Sequence, residues 1–208
     1  MSIGDHALPL EIEIKLRLND PDALRSQLRA AGAARAGRVL ETNQLLDSPS
    51  ADLFRSGCGL RVRRAADLDV PGRISVTLTY KGPRQPGELK IREERETTVD
   101  DESSLLDVLA ALGYRPFLVF EKRREVWRLQ PCEIVIDQLP ILGFFAEIEG
   151  STREDVHAAA RAVGLSLEHA VDESYVGLAL TQARRGPDGI RRLTFDADHF
   201  QTPMSPAP

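Results

Sequence analysis

The stretch Leu8-Pro9-Leu10-Glu11-Ile12-Glu13-Ile14-Lys15-Leu16-Arg17-Leu18 alternates apolar and polar side chains through its length. Leu10, Ile12, Ile14, Leu16 and Leu18 share one phase, and Glu11, Glu13, Lys15 and Arg17 share the other. A period of two places these sets on opposite faces of a β-strand, one buried and one charged. Asn19-Asp20-Pro21 can then cap a helix over residues 21–31, which stops near Gly32.

Working outward, strand patterns recur over residues 38–47, 60–64, 74–81, 89–99, 117–129, 133–137 and 144–149. Residues 49–55 read as a short helical turn. Residues 67–72 form a polar turn, and 82–87, with two prolines and two glycines, form a loop. Helices are expected over 101–112, 151–163 and 172–183, the second opened by the capping-box pattern Ser151-Thr152-x-Glu154. The strands mostly follow one another through short turns, which favours an antiparallel sheet in an α+β chain. Residues 8–183 read as one domain and 184–208 as a peripheral, partly mobile C-terminal extension.

Apolar residues make up 42% of the chain, enough to build a core. Aromatic residues are only 5% and the formal net charge is -5, which weighs against a nucleic-acid-coating surface. No segment approaches the roughly 18 consecutive apolar residues of a membrane span, and the N-terminus has no apolar secretory segment. Cys58 and Cys132 form neither a CxxC pair nor a zinc-ligand spacing. The expectation is a cytoplasmic chain with no nucleic-acid or membrane partner.

The polar phase is charge-rich on almost every strand. Arg61 and Arg63 share a phase, as do Arg92 with Glu94 and Glu96, Lys122 with Arg124, and Glu147 with Glu149. Asp137 ends the apolar run Ile134-Val135-Ile136. Two geometries account for this. The charged faces either look out to water, or meet across a lumen, which a closed sheet of about eight strands makes wide enough for one small ligand. Acids and bases in a lumen must offset one another or hold a charged ligand. A polyphosphate with a hard cation suits both signs: Arg and Lys for phosphate oxygens, carboxylates for the metal. Alternation alone leaves both geometries open.

The ordered set Glu11-Ile-Glu13-Ile-Lys15, Asp47, Leu60-Arg61-Val62-Arg63, Leu78-Thr79-Tyr80-Lys81-Gly82, Arg92-Glu93-Glu94, Glu121-Lys122-Arg123-Arg124, Asp137 and Phe145-Ala146-Glu147-Ile148-Glu149-Gly150 resembles the CYTH family, the triphosphate tunnel metalloenzymes. The resemblance covers roughly residues 10–180 and implies an eight-stranded antiparallel β-barrel, the triphosphate tunnel, with helices packed outside. It also implies Mg²⁺ or Mn²⁺ and a small triphosphate substrate. By position, Glu11, Glu13, Glu147 and Glu149 match metal-holding glutamates, and Asp137 an acidic position with a supporting or direct metal role. Lys15 matches the motif lysine, which contacts phosphate or orients the attacking group. Arg61, Arg63, Lys81, Arg92, Lys122 and Arg124 match the phosphate-gripping wall, and Glu94 a further lumen position. Arg64, Arg123 and Glu121 point the other way, Trp127 and Tyr175 read as packing residues, and His157 and His169 as ordinary late-helix residues.

The activity implied is transfer at phosphorus. The leading expectation is a metal-dependent triphosphatase acting on inorganic triphosphate, thiamine triphosphate or a nucleoside triphosphate. The alternatives are a class IV adenylate cyclase making cyclic AMP and pyrophosphate from ATP, and a polyphosphate- or nucleotide-binding module with little turnover.

Overall fold

The computed structural model describes residues 12–83 and 93–195. Among these there are ten strands, five α-helices and one 3-10 turn. The strands are β1 (Ile12–Leu18), β2 (Ala34–Asp47), β3 (Gly59–Asp67), β4 (Ile74–Lys81), β5 (Glu94–Val99), β6 (Arg115–Leu129), β7 (Cys132–Leu139), β8 (Gly143–Gly150), β9 (Arg184–Arg185) and β10 (Arg191–Leu193). The helices are α1 (Pro21–Ala30), α2 (Asp52–Arg55), α3 (Glu102–Ala111), α4 (Arg153–Ala162) and α5 (Tyr175–Gln182).

Eight strands form one antiparallel sheet in the order β1-β8-β7-β6-β2-β3-β4-β5. The expected closed barrel does not form. Closure requires the two end strands to hydrogen-bond to each other, and among the described residues no ladder joins β1 to β5. The outer edge of β1 is instead taken by a segment that follows α4. Val171 N–H donates to the Lys15 carbonyl at 2.7 Å, and Leu16 bridges Ala170. The chain so anchored runs directly into α5.

One face of the sheet is apolar and packed under helices. Ile14, Trp127, Ile134, Ile136, Ala146 and Ile148 meet Leu24 and Leu28 of α1 and Val156, Ala159 and Ala160 of α4. Farther along, Leu46, Val62 and Val76 meet Leu109 of α3. Asp20 caps α1, accepting from Asp22 N and Ala23 N at 3.0 Å each. The cap of α4 is Thr152, whose hydroxyl accepts from Asp155 N at 3.1 Å, one residue beyond the Ser151/Glu154 pairing read from the sequence. At the end of β8, Gly150 allows close packing: a Cβ there would lie 2.9 Å from Cys132 Sγ and 3.1 Å from Val156 Cγ2.

Not all helices are outside. α5 lies against the other face of the sheet, where Tyr175 and Ala179 pack on Leu45, Leu118, Phe120, Leu139 and Phe145. These positions share their phase with the charged residues, through the pairs Leu45↔Arg61 and Phe145↔Asp137. The charged face is therefore apolar at one end and covered there by a helix. β10 adds a short parallel pairing to residues 118–120 of β6 and buries Leu193 in the same cluster. This places residues 191–193 in the sheet, which the sequence pattern did not show.

Leu28 is fully buried between α1 and the sheet. Leu28→Ala is expected to lower unfolding stability by about 2–5 kcal/mol, read from urea unfolding curves of equal slope.

Candidate phosphate and metal site

Much of the charged face is buried. Lys15 (2% exposed), Glu41 (3%), Lys122 (3%), Asp137 (0%) and Glu147 (3%) are enclosed although none lies on the apolar face. These side chains do not face open water, although the sheet does not close around a lumen. The register brings them together, through the pairs Lys15↔Glu147, Glu13↔Glu149, Asp137↔Arg124, Glu41↔Lys122, Asn43↔Arg63, Arg61↔Thr79 and Lys81↔Glu94.

Arg124 is the hub. Its Nε and Nη2 donate to Asp137 at 2.8 and 2.6 Å, and Nη2 also reaches Glu147 Oε2 at 2.6 Å. Lys122 Nζ lies 3.1 Å from Asp137 and 3.5 Å from Glu41. Arg63 lies 3.4 Å from Glu41 and donates to Asn43 Oδ1 at 3.2 Å. Lys15 Nζ is 3.3 Å from Glu147 Oε1 and 3.3 Å from the Glu173 carbonyl. At the far end, Arg61 lies 3.6 Å from both Glu94 and Glu96 and donates to Thr79, while Lys81 pairs with Glu94 at 2.7 Å. Thus Lys15, Arg61, Arg63, Lys81, Lys122, Arg124, Glu94 and Asp137 all lie on one face. Glu11 and Arg92 lie outside the described residues.

Glu13, Glu147 and Glu149 present carboxylate oxygens within 4.8 Å of one another. Asp137 is not in this trio; its oxygens accept from Arg124 and Lys122. An all-carboxylate donor set suits a hard divalent cation. The electrostatics agree. Burial pushes the Glu149 carboxyl above its ordinary value; Arg124 opposes this, while Glu147, Glu13 and Glu133 add to it. A cation among these acids would offset that like-charge crowding.

Opposite shifts mark the basic wall. Burial disfavours the Glu41 carboxylate, but Lys122, Arg63 and Arg124 overcome that and bring it from 4.5 to about 2. Lys122, in the same group, is lowered: burial and Arg124 outweigh Asp137, Glu41 and Glu147. Burial, then Arg63, lowers Arg61 to about 10 against the pull of Glu41, Glu94 and Glu96.

The residues that sequence reasoning missed are Glu41 and Asn43, while Thr79 and Glu96 were noted in their strands without a role. Strict alternation along β2 would have found the first two, had the phase been readable from its polar run. Asp47, part of the family pattern, turns out to hold α2, accepting from Leu53 N and Phe54 N at 3.0 and 2.9 Å. Trp127 is buried and donates to Glu125 on the helix-covered face. Arg64 points to Glu102 there, and Glu121 accepts from Phe195 N.

The CYTH domain model matches residues 9–174. The chain belongs to the CYTH family. Protein MJ0240 of Methanocaldococcus jannaschii is 26% identical over 178 residues, covering 81% of this chain and 98% of that one. Adenylate cyclase CyaB of Aeromonas hydrophila is 28% identical, covering 79% of this chain and 86% of its own length. Among solved structures, the PH1819 protein of Pyrococcus horikoshii superposes with a TM-score of 0.71 at 26% identity, covering 82% of this chain and 98% of that one. This CYTH chain therefore shares most of its fold with a solved structure and carries an acidic cluster compatible with divalent metal. Among its described residues no helix is long and apolar enough to cross a membrane.

Glu41 gives a test of the buried network. A depressed carboxyl contributes stability above its unfolded value and loses it as pH falls towards the folded one. Wild type should exceed Glu41→Gln by about 3 kcal/mol near pH 6. That gap should close between pH 4.5 and about 2, as urea titrations at stepped pH will read.

Proposed function

We propose that this CYTH protein is a divalent-metal-dependent triphosphatase that cleaves the terminal phosphoanhydride of a small triphosphate: inorganic triphosphate, thiamine triphosphate or a nucleoside triphosphate. The supporting observation is the continuity of the charged face. The trio Glu13, Glu147 and Glu149 adjoins Lys15 and Arg124, and the cations continue through Lys122, Arg63 and Arg61 to Lys81. Phosphates need the second set and their counter-cation the first.

In this reading Glu13, Glu147 and Glu149 hold Mg²⁺ or Mn²⁺, which when bound neutralises phosphate charge and polarises a phosphoryl oxygen. Arg61, Arg63, Lys81, Lys122 and Arg124 bind the non-bridging oxygens and stabilise charge that builds as the anhydride bond breaks. Lys15, between the acids and the wall, meets the reacting phosphate. Asp137 and Glu41 keep the wall's cations in place before substrate arrives. A water oxygen bonds to the terminal phosphorus, the bridging P–O bond breaks, and the electron pair leaves with the shortened phosphate. The apolar end of the face is already filled by Tyr175, Ala179 and Leu193, so the surface left for binding is charged. Charge recognises phosphates rather than a base, which favours hydrolysis recognised through the triphosphate.

A second reading has the names of both relatives behind it, since each includes adenylate cyclase. There the 3′-hydroxyl of ATP would attack the α-phosphorus and pyrophosphate would leave. ³¹P NMR of purified protein with tripolyphosphate, thiamine triphosphate and ATP, each with Mg²⁺ and Mn²⁺, separates the two. Orthophosphate is the expected product; cyclic AMP with pyrophosphate as the main products from ATP would replace the hydrolase reading. Glu147→Gln/Glu149→Gln should lower turnover by about 100-fold or more, and undiminished turnover would remove the metal assignment.

A further inference from the structure

The segment 170–175 makes three separate contacts with one residue, Lys15. Val171 N–H donates to its carbonyl at 2.7 Å. Its ammonium donates to the Glu173 carbonyl at 3.3 Å and stands 3.6 Å from the centroid of the Tyr175 ring. Lys122 Nζ lies 4.8 Å from the same centroid. Two of the enclosed cations therefore share one aromatic ring.

That ring is held firmly. Tyr175 is the first residue of α5, whose start is capped by Ser174 Oγ accepting from Gly177 N at 3.0 Å. Phe145 packs edge-on against it, with centroids 5.6 Å apart and planes at 83°. Gly177 lets Glu173 fold back over the helix start, since a Cβ there would fall 1.9 Å from Glu173 Oε1. The hydroxyl is buried close to Asp137 and Glu147, with Asp137 its candidate hydrogen-bond acceptor. The ring face is the part of the side chain that meets the two ammonium groups.

A lysine ammonium on a four-carbon stem has many rotamers to lose, and here it has Lys122 and Arg124 on the same face to repel it. Glu147 attracts it from one direction only. An aromatic face attracts a desolvated cation without adding another carboxylate to a region already crowded with acids. We propose that Tyr175 is a positioning residue: its ring, fixed by α5 and Phe145, seats the Lys15 ammonium, and residues 170–175 are the seat. The proposal rests on the triphosphatase reading for what Lys15 then does, but the seat itself can be observed separately. It makes an element 160 residues downstream of Lys15 (|i−j| = 158 for the Glu173 contact) a determinant of the opening motif's geometry.

The test uses the full chain with Tyr175 replaced by phenylalanine, monofluorophenylalanine and trifluorophenylalanine. Fluorine drains the negative ring face while nearly preserving ring shape, so packing and cation attraction are separated. The geometric readout is the Lys15 CεH2 resonance in ¹³C-lysine-labelled protein, assigned with Lys15→Arg; it should be displaced by the ring current in wild type and Tyr175→Phe. The functional readout is kcat and KM for tripolyphosphate with Mg²⁺. Tyr175→Phe should stay within about twofold of wild type, and the series should fall stepwise to a loss of about tenfold at three fluorines. Equal activity across the fluorine series, or a Lys15 resonance with no ring-current displacement, would overturn the proposal. A wild-type protein that turns over no triphosphate would sink the proposed function alone, and the lysine resonance would still decide whether the seat exists.

Discussion

The structure depends on one junction: the Arg124 guanidinium bound at once to Asp137 and Glu147, with Glu41 4.0 Å away. Isolated charges cannot be taken out of water at tolerable cost, and a buried pair breaks even only when its geometry is good and its remaining atoms are satisfied. This face meets that condition by interleaving signs across strands. Arg63, Glu41, Lys122, Asp137, Arg124, Glu147 and Lys15 form an unbroken series over β3, β2, β6, β7, β8 and β1. A register slip of one residue in any of these strands would move a charge into the layer under α1, α3 or α4. The same constraint thus fixes the sheet's register and builds the site.

What the sequence could reveal follows from the period of two. In β1, and over residues 60–63 of β3 and 146–149 of β8, apolar and charged residues alternate cleanly, so the face of each of these side chains is readable. β2 is different. Glu41-Thr42-Asn43-Gln44 has no apolar member and Leu45-Leu46 has two in succession, so neither phase declares itself. That is why Glu41, the carboxylate among three cations, escaped notice. Alternation also says nothing about whether a sheet closes. The outer edge of β1 is taken by residues 170–171, a pairing between segments remote in sequence that no local pattern encodes. α5 illustrates the same limit. Its composition shows an apolar helix, but which face of the sheet it covers depends on Leu45, Leu118, Phe120, Leu139 and Phe145 falling in phase with the charges.

Like residues on this face differ by their surroundings. Asp137 and Glu149 are both carboxylates on neighbouring strands. Asp137 is pressed against Arg124 and Lys122 and stays ionised well below the usual range, despite its burial. Glu149 is pushed the other way by burial, to which Glu147, Glu13 and Glu133 add against the pull of Arg124. The first holds cations that are already present. The second lies in a group of acids that gains from a cation being added. Residue type would have put both in one set, and the distances divide them.

The choice between arginine and lysine follows a similar division. Arginine carries five N–H donors in a planar fork, so one guanidinium can keep a carboxylate and still offer donors elsewhere. Arg124 spends Nε and Nη2 on Asp137 and Glu147 while Nη1 stays 4.0 Å from Glu149. Arg61 gives Nη2 to Thr79 and leaves its buried Nε without a partner among the described residues. Such groups can meet phosphate oxygens without abandoning the contacts that hold them. Lysine is a single point charge on a flexible stem and has no second edge to present. Lys15 and Lys122 are the two enclosed lysines of the face, and both ammonium groups lie against the Tyr175 ring. The fold supplies from α5 the fixity that a guanidinium carries within itself.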